Sequence, residues 1–305
     1  MNYQTQVTKM PEGPLRMPTA WVRPEFQAHD GLVDLDSLHI MDGLVLAFGF
    51  IDDRGANSYG SGIMVAPGLL VTATHVAEET KGTAGMAFSF LSSGKMRLWS
   101  PHQVHILTGP RNDVLMNGDD RRRVSDVTLC SCYPMSDVAL DQPLLMAHLE
   151  VAIPKIGERL WAVGYRETAR EDAPSMAMLC SSGLVTAVYL EGRGTLLPGP
   201  CIEIGMNTVG GMSGGPVFNT LGHVIGIVST SIEADDLLGP TYVSLIWPAL
   251  VGEVDAPWPK EYWPNGEASL KLANSLGFAR IHGEVEMDGN GGFKGRLPNP
   301  SSKVE

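Results

Sequence analysis

The chain has 305 residues and a formal net charge of −12, with 35 glycines, 21 prolines and four cysteines. That acidity disfavours sequence-independent binding to nucleic acid, where affinity comes from Lys and Arg set against phosphates. The sequence has no uninterrupted apolar run of the roughly 18 residues that a membrane-crossing helix needs, and its glycine and proline content suits many short strands and turns.

Residues 1–38 carry Pro11, Pro14, Pro18 and Pro24 and read as an irregular tail or surface strap. Residues 1–24 lack an apolar core behind a basic start, so no secretory leader is expected and the protein is expected in the cytoplasm. Strand-like runs come next, at 44–51, 62–65, 69–72, 86–91, 95–99, 104–107, 127–132 and 138–140. Pro67-Gly68 breaks the second run from the third, a hairpin signal, and a polar loop spans 109–125. Residues 141–158 read as a connector to a second set of strands at 159–165, 177–190, 201–205, 216–219, 223–229 and 241–245. Beyond 255, Pro257-Trp258-Pro259 and Tyr262-Trp263-Pro264 are breaks. One short helix is expected over 267–276, stopped by Gly277, and a hairpin over 278–287 and 293–297. The resulting division is a tail at 1–38, a main domain at 39–254 (two halves at about 39–145 and 155–254) and an extension at 255–305.

Three segments carry chemistry. Gly211-Met212-Ser213-Gly214-Gly215-Pro216 sets a serine on a glycine-rich turn, where N–H groups can converge beside a hydroxyl. The run Leu69-Leu70-Val71-Thr72-Ala73-Thr74 ends in His75, and Ser136-Asp137-Val138-Ala139-Leu140 places an acid before an apolar stretch. A serine hydroxyl needs a base in reach, histidine exchanges a proton near neutrality, and a buried carboxylate fixes its tautomer. The expected roles are therefore Ser213 as nucleophile, His75 as general base and then acid, and Asp137 as the orienting acid. Asp126 and Asp141 flank the Asp137 block as weaker rivals; Asp126 comes after the charged loop Asp119-Asp120-Arg121-Arg122-Arg123, which reads as solvated. His102, His105, His148 and His223 lack the setting of His75 and are expected at the surface or as satisfied core residues, His223 at a hairpin tip.

The blocks "TATHV", "SDVAL" and "GMSGGPVF", in the order His, Asp, Ser, resemble those of the chymotrypsin/trypsin-fold serine peptidases, over roughly residues 43–252. The closest flavour is the bacterial and intracellular HtrA-like branch, without a PDZ-sized segment. The resemblance implies an all-β fold of two six-stranded antiparallel Greek-key barrels with the active site in the cleft between them. It implies an oxyanion hole from the backbone N–H groups of Gly211 and Ser213. It places Asn207 at the floor of the specificity pocket with Thr208 beside it, and gives Ser229, Thr230 and Ser231 to the strand that pairs with substrate. A neutral Asn207 disfavours a strict preference for Lys or Arg, whose buried charge would lack a partner. Zymogen-type members carry an aspartate immediately before the nucleophile. Met212 stands there, so no N-terminal processing is expected.

The implied function is a serine endopeptidase with an acyl-enzyme intermediate, acting on protein or peptide substrates in a dedicated regulatory or defence role, with a regulatory protein as candidate partner. The alternatives are a non-catalytic scaffold of the same fold that binds peptides or a partner, and another acyl-transfer hydrolase such as an esterase. No metal or cofactor is expected, nor any nucleic-acid or membrane partner. The sparse cysteines Cys130, Cys132, Cys180 and Cys201 are expected as buried free thiols.

Overall fold

The computed structural model describes residues 18–53, 55–83, 85–110, 121–135, 142–168, 175–194, 197–231, 240–288 and 292–298. Two strands, β1 (Thr19–Val22) and β2 (Gly31–Asp34), lie in the segment expected to be irregular. Each is four residues long and is defined by the edge it covers. β1 runs parallel to the connector between barrels, and β2 pairs antiparallel with the second barrel.

The first barrel contains β3 (Val45–Asp52), β4 (Gly55–Ala66), β5 (Leu69–Ala73), β6 (Met86–Phe90) and β7 (Met96–His105). A short hairpin comes next, β8 (Thr108–Pro110) and β9 (Arg121–Arg123), and then β10 (Val127–Pro134) completes the ring. Six strands close in the order β10-β5-β4-β3-β6-β7. Pro67-Gly68 forms the two-residue turn between β4 and β5, with Ala66 opposite Leu69. Gly68 has φ +75°, a conformation that glycine alone adopts without steric cost. The runs at 95–99 and 104–107, expected as two strands, are one. A register shift opposite Cys130 and Cys132 bends β7, and the apolar pattern lapses there while the hydrogen-bonded ladder continues. The run at 138–140 lies outside the described residues.

The connector holds a strand of its own, β11 (Leu144–Glu150). The second barrel comprises β12 (Arg159–Thr168), β13 (Ser175–Tyr189), β14 (Cys201–Gly205), β15 (Pro216–Phe218), β16 (Val224–Ser231) and β17 (Thr241–Leu245). These six pair antiparallel in the order β16-β15-β12-β13-β14-β17, and a β16–β17 pairing closes the ring. The architecture is thus two six-stranded antiparallel barrels.

After a 3₁₀ turn at Trp247–Val251 come β18 (Glu253–Asp255), β19 (Glu267–Ser269), β20 (Arg280–His282) and the hairpin β21 (Glu284–Met287) with β22 (Phe293–Arg296). Among the described residues there are also two short α-helices, α1 (Thr74–Gly82) directly after β5 and α2 (Leu270–Ser275) after β19. The helix expected from 267 starts three residues later, because 267–269 pair with β18. Ser269 then caps it, accepting from the Leu272 amide at 3.2 Å, and Gly277 at φ +81° ends it as expected. The extension packs into the same continuous core as both barrels through Trp258, Trp263, Leu270, Ala273 and Ala279. A buried tryptophan removes about 150–250 Å² from water, or roughly 4–6 kcal/mol before entropic costs. All four cysteines are free and buried. Burial pushes the thiols of Cys130 and Cys180 up to about 12 and that of Cys201 to about 11, so they stay protonated and inert. Among the described residues no helix is long and apolar enough to cross a membrane.

Candidate active site

The fully buried strand β5 delivers its apolar side chains to the first barrel and runs directly into α1, which leaves His75 on the first turn at the barrel's rim. The His75 side chain is 44% exposed, while the carboxylate beside it is 9% exposed and belongs to Asp126. His75 Nδ1 lies 3.1 Å from both Asp126 oxygens. The Asp126 backbone holds the same turn, accepting from the Thr74 amide at 2.8 Å. With Nδ1–H donating to the acid, Nε2 carries the lone pair that a general base requires. Burial alone pulls the His75 pKa down, but the hydrogen bond and charge of Asp126 outweigh it and the net shift is upward.

The carboxylate that meets His75 in this geometry is that of Asp126, whereas the sequence pattern points to Asp137. Asp137 itself lies outside the described residues, as does Asp141. The pattern Ser-Asp-Val-x-Leu occurs twice, at 125–129 and at 136–140. Asp126 leads into β10, an eight-residue strand with seven buried positions that pairs with β5 and so lies beside the histidine.

Ser213 arrives from the second barrel on the loop between β14 and β15. Gly211 (φ +91°) and Gly214 (φ +80°) allow the turn. A Cβ at Gly211 would sit 2.6 Å from the Tyr165 carbonyl oxygen, so no larger residue fits there. Ser213 Oγ donates to the Ser229 carbonyl at 3.4 Å, and Gly214 packs against Ala73, two residues before His75. Among the described residues the amides of Gly211 and Ser213 donate to no other protein group, whereas Gly214 N donates to Val228 O and Gly215 N to Met212 O. Met212 is fully buried and packs against Gly164.

Ser61, on β4, ties the two barrels together at this point, and no sequence motif singles it out. Its amide donates to the Ser213 carbonyl at 2.7 Å, and its hydroxyl donates to the Gly211 carbonyl at 2.7 Å. The same hydroxyl accepts from the Tyr165 amide at 2.8 Å, and Thr72 donates to the Ser61 carbonyl at 2.6 Å. Ser61 thus grips the carbonyls of Gly211 and Ser213, one on each side of Met212. Its signal in sequence is a serine between two glycines, Gly60-Ser61-Gly62, which spacing alone does not distinguish from a loop.

The residues expected around a specificity pocket fall on neighbouring elements. Asn207 is partly exposed, and Thr208 is buried with its hydroxyl 3.0 Å from that of Thr241, which in turn donates to the Met206 carbonyl. Ser229 is buried, and its hydroxyl meets that of Ser244 at 2.6 Å. Thr230 and Ser231 continue β16 opposite Tyr242 and Thr241. Of the other histidines, His105 is held by the Glu253 carbonyl at 2.6 Å. His223 does close a hairpin turn, but its ring is buried: Nδ1 lies 2.8 Å from Glu150 Oε2.

The model of the trypsin-like peptidase domain family matches residues 60–227, more than half of the chain. Among solved structures, the chain is similar to human heparin binding protein at 13% identity, covering 72% of this chain and 92% of that one with a TM-score of 0.50. A double mutant of the same human protein gives 12% identity, 72% and 92% coverage and a TM-score of 0.51. Neuropsin, a serine protease expressed in the limbic system of mouse brain, gives 16% identity, 70% and 93% coverage and a TM-score of 0.47. No curated protein sequence matches.

Proposed function

Because the chain belongs to the trypsin-like peptidase domain family, we propose that it is a serine endopeptidase whose triad is Ser213, His75 and Asp126. The observation that carries this reading is the His75–Asp126 pair, with Nδ1 held at 3.1 Å from the carboxylate and Nε2 left as the base, while Ser61 of the same barrel holds the Ser213 carbonyl. In the reaction, Ser213 Oγ turns from the Ser229 carbonyl toward His75 and attacks the scissile carbonyl as Nε2 takes its proton. Asp126 stabilises the imidazolium. The amides of Gly211 and Ser213 receive the developing oxyanion, a contact worth about 2.7–4 kcal/mol in enzymes of this kind. Nε2 then protonates the leaving amine, and water releases the acyl group by the reverse route.

Substrate is read as an extended strand along Ser229, Thr230 and Ser231, which supplies main-chain hydrogen bonds without side-chain choice. The pocket bounded by Asn207 and the Thr208–Thr241 hydroxyl pair is neutral and polar, which fits an uncharged side chain better than Lys or Arg. The protein acts in the cytoplasm, in the manner of the HtrA-like branch but on a dedicated substrate, under the control of a protein partner. A fluorophosphonate probe tests the chemistry: it should label the native protein at Ser213 and spare Ser213→Ala. A folded native protein that resists the probe would return the chain to the non-catalytic scaffold. Peptide-library cleavage read by mass spectrometry separates a peptidase from an esterase.

A further inference from the structure

Away from the β5–α1 turn, three histidines from three parts of the chain meet. His148 lies on the connector strand β11, His223 at the turn into β16, and His282 ends β20 of the C-terminal extension. β20 pairs parallel with β11, setting His282 opposite Glu150 and Arg280 opposite His148, while β11 touches β16 at Leu149 and Val224. The topology thus delivers one histidine from each of three adjacent segments to one end of the sheet.

We propose that His148, His223 and His282 bind a divalent transition metal of the zinc class, with Glu150 orienting His223 from behind. One nitrogen from each histidine lies within 4.8 Å of the other two. His148 Nδ1 and His282 Nε2 are 3.2 Å apart. Two nitrogens on a tetrahedral zinc, each about 2.0–2.1 Å from the ion, are separated by about 3.3 Å, so this pair already has the required spacing. The third nitrogen must close in by about 1.5 Å at most.

His223 supplies an independent argument. Its Nδ1–H donates to Glu150, whose carboxylate also accepts from Asn219 Nδ2 at 2.9 Å. Nε2 therefore presents a lone pair, yet that atom is buried and has no partner among the described residues. A carboxylate behind a histidine whose other nitrogen faces inward is the arrangement that fixes metal-binding histidines elsewhere. The rings are near parallel, within 6–11° of one another. Their lone pairs lie in separate planes, so capture of an ion requires each ring to turn about χ2, a soft torsion for histidine. Arg23 and Arg280 oppose a dication here, and Glu150 is the negative charge that offsets them. Three ligands leave a fourth position for water or an outside ligand.

The test uses the full-length protein stripped of metal. Calorimetric titration should find one Zn²⁺ per chain, and Co²⁺ should give visible ligand-field absorption. His282→Ala and His148→Ala, at half-buried positions, should each weaken zinc at least about 100-fold while circular dichroism stays native. Glu150→Gln should weaken it about 10–100-fold. Should a variant fail to fold, histidine-ring NMR of the native protein decides: zinc must shift three ring systems and leave that of His75 in place. Folded native protein that takes up no stoichiometric zinc at micromolar concentration would overturn the proposal, as would variants that bind as well as the native chain. None of these readouts passes through hydrolysis.

Discussion

Among the described residues, two histidine–carboxylate pairs of the same chemistry stand in opposite settings. His75 and Asp126 sit at a barrel rim, with the imidazole 44% exposed; the His223 and Glu150 side chains are 7% and 9% exposed. In each the carboxylate fixes Nδ1 and leaves Nε2 as the working nitrogen. What differs is where Nε2 can send a proton. In the proposed mechanism the rim histidine exchanges a proton with a hydroxyl in the cleft, which is the part its pair would play in catalysis. The buried one has no such route, so its lone pair suits a fixed occupant and its carboxylate serves structure. Burial of the second nitrogen, rather than the presence of the pair, separates a proton shuttle from an anchor.

The comparison breaks most visibly by substitution of the acids. Asp126→Asn should lower kcat by about 10⁴, since the amide selects the wrong tautomer of His75. Asp137→Asn should leave kcat within a few-fold of native; the reverse result would restore Asp137 to the triad. Glu150→Gln should do the opposite of Asp126→Asn. It should cost about 1.5–3 kcal/mol in urea denaturation, the worth of a hydrogen bond to a charged group, with kcat on a short peptide unchanged.

Ser61→Ala is expected to be intermediate. The Gly211 carbonyl and Tyr165 amide lose their shared partner, and the oxyanion loop is less firmly held. A fall in kcat of about tenfold with KM nearly unchanged would mark an effect felt in the transition state, equivalent to about 1.4 kcal/mol. A change in KM alone would argue against the positioning role.

The smallest effect sharpens the comparison by pH. His75 must be neutral to accept the serine proton, and its pKa is raised above 6.5. The acid limb of kcat/KM should therefore lie above 6.5, with activity lost as pH falls through it. In Asp126→Asn the limb should move down, because the raising partner is gone and burial remains.

Ser213 and His75 stand out in the sequence because glycines around the one and an apolar strand before the other are local requirements. The Pro67-Gly68 turn and the stop at Gly277 are visible for the same reason. Asp126 is obscured because two copies of one short pattern compete, and the charged residues before it suggest a solvated loop. Pairing between β10 and β5 sets Asp126 beside His75, and pairing is non-local. The cluster of His148, His223 and His282 leaves no trace in the sequence, since its members become neighbours only through the parallel strands β11 and β20 and the turn into β16. The strands β1 and β2 are hidden on similar grounds: short edge strands take their conformation from the partner they cover.

That parallel arrangement reaches into how the chain is made. β1 covers residues 144–147 of β11 and β20 covers 148–150, so early and late parts of the polypeptide line up in tandem along one strand from its middle. The Arg280 guanidinium rests 4.0 Å from the Trp21 ring centre where they meet. During synthesis the early strand can dock as soon as β11 emerges, but the remaining length of that edge stays bare until the C-terminal extension has left the ribosome. Closure at such sequence separation is slow compared with hairpin formation, so each barrel can form before β20 pairs with β11. On that order the histidine cluster is completed last, when His282 arrives with β20.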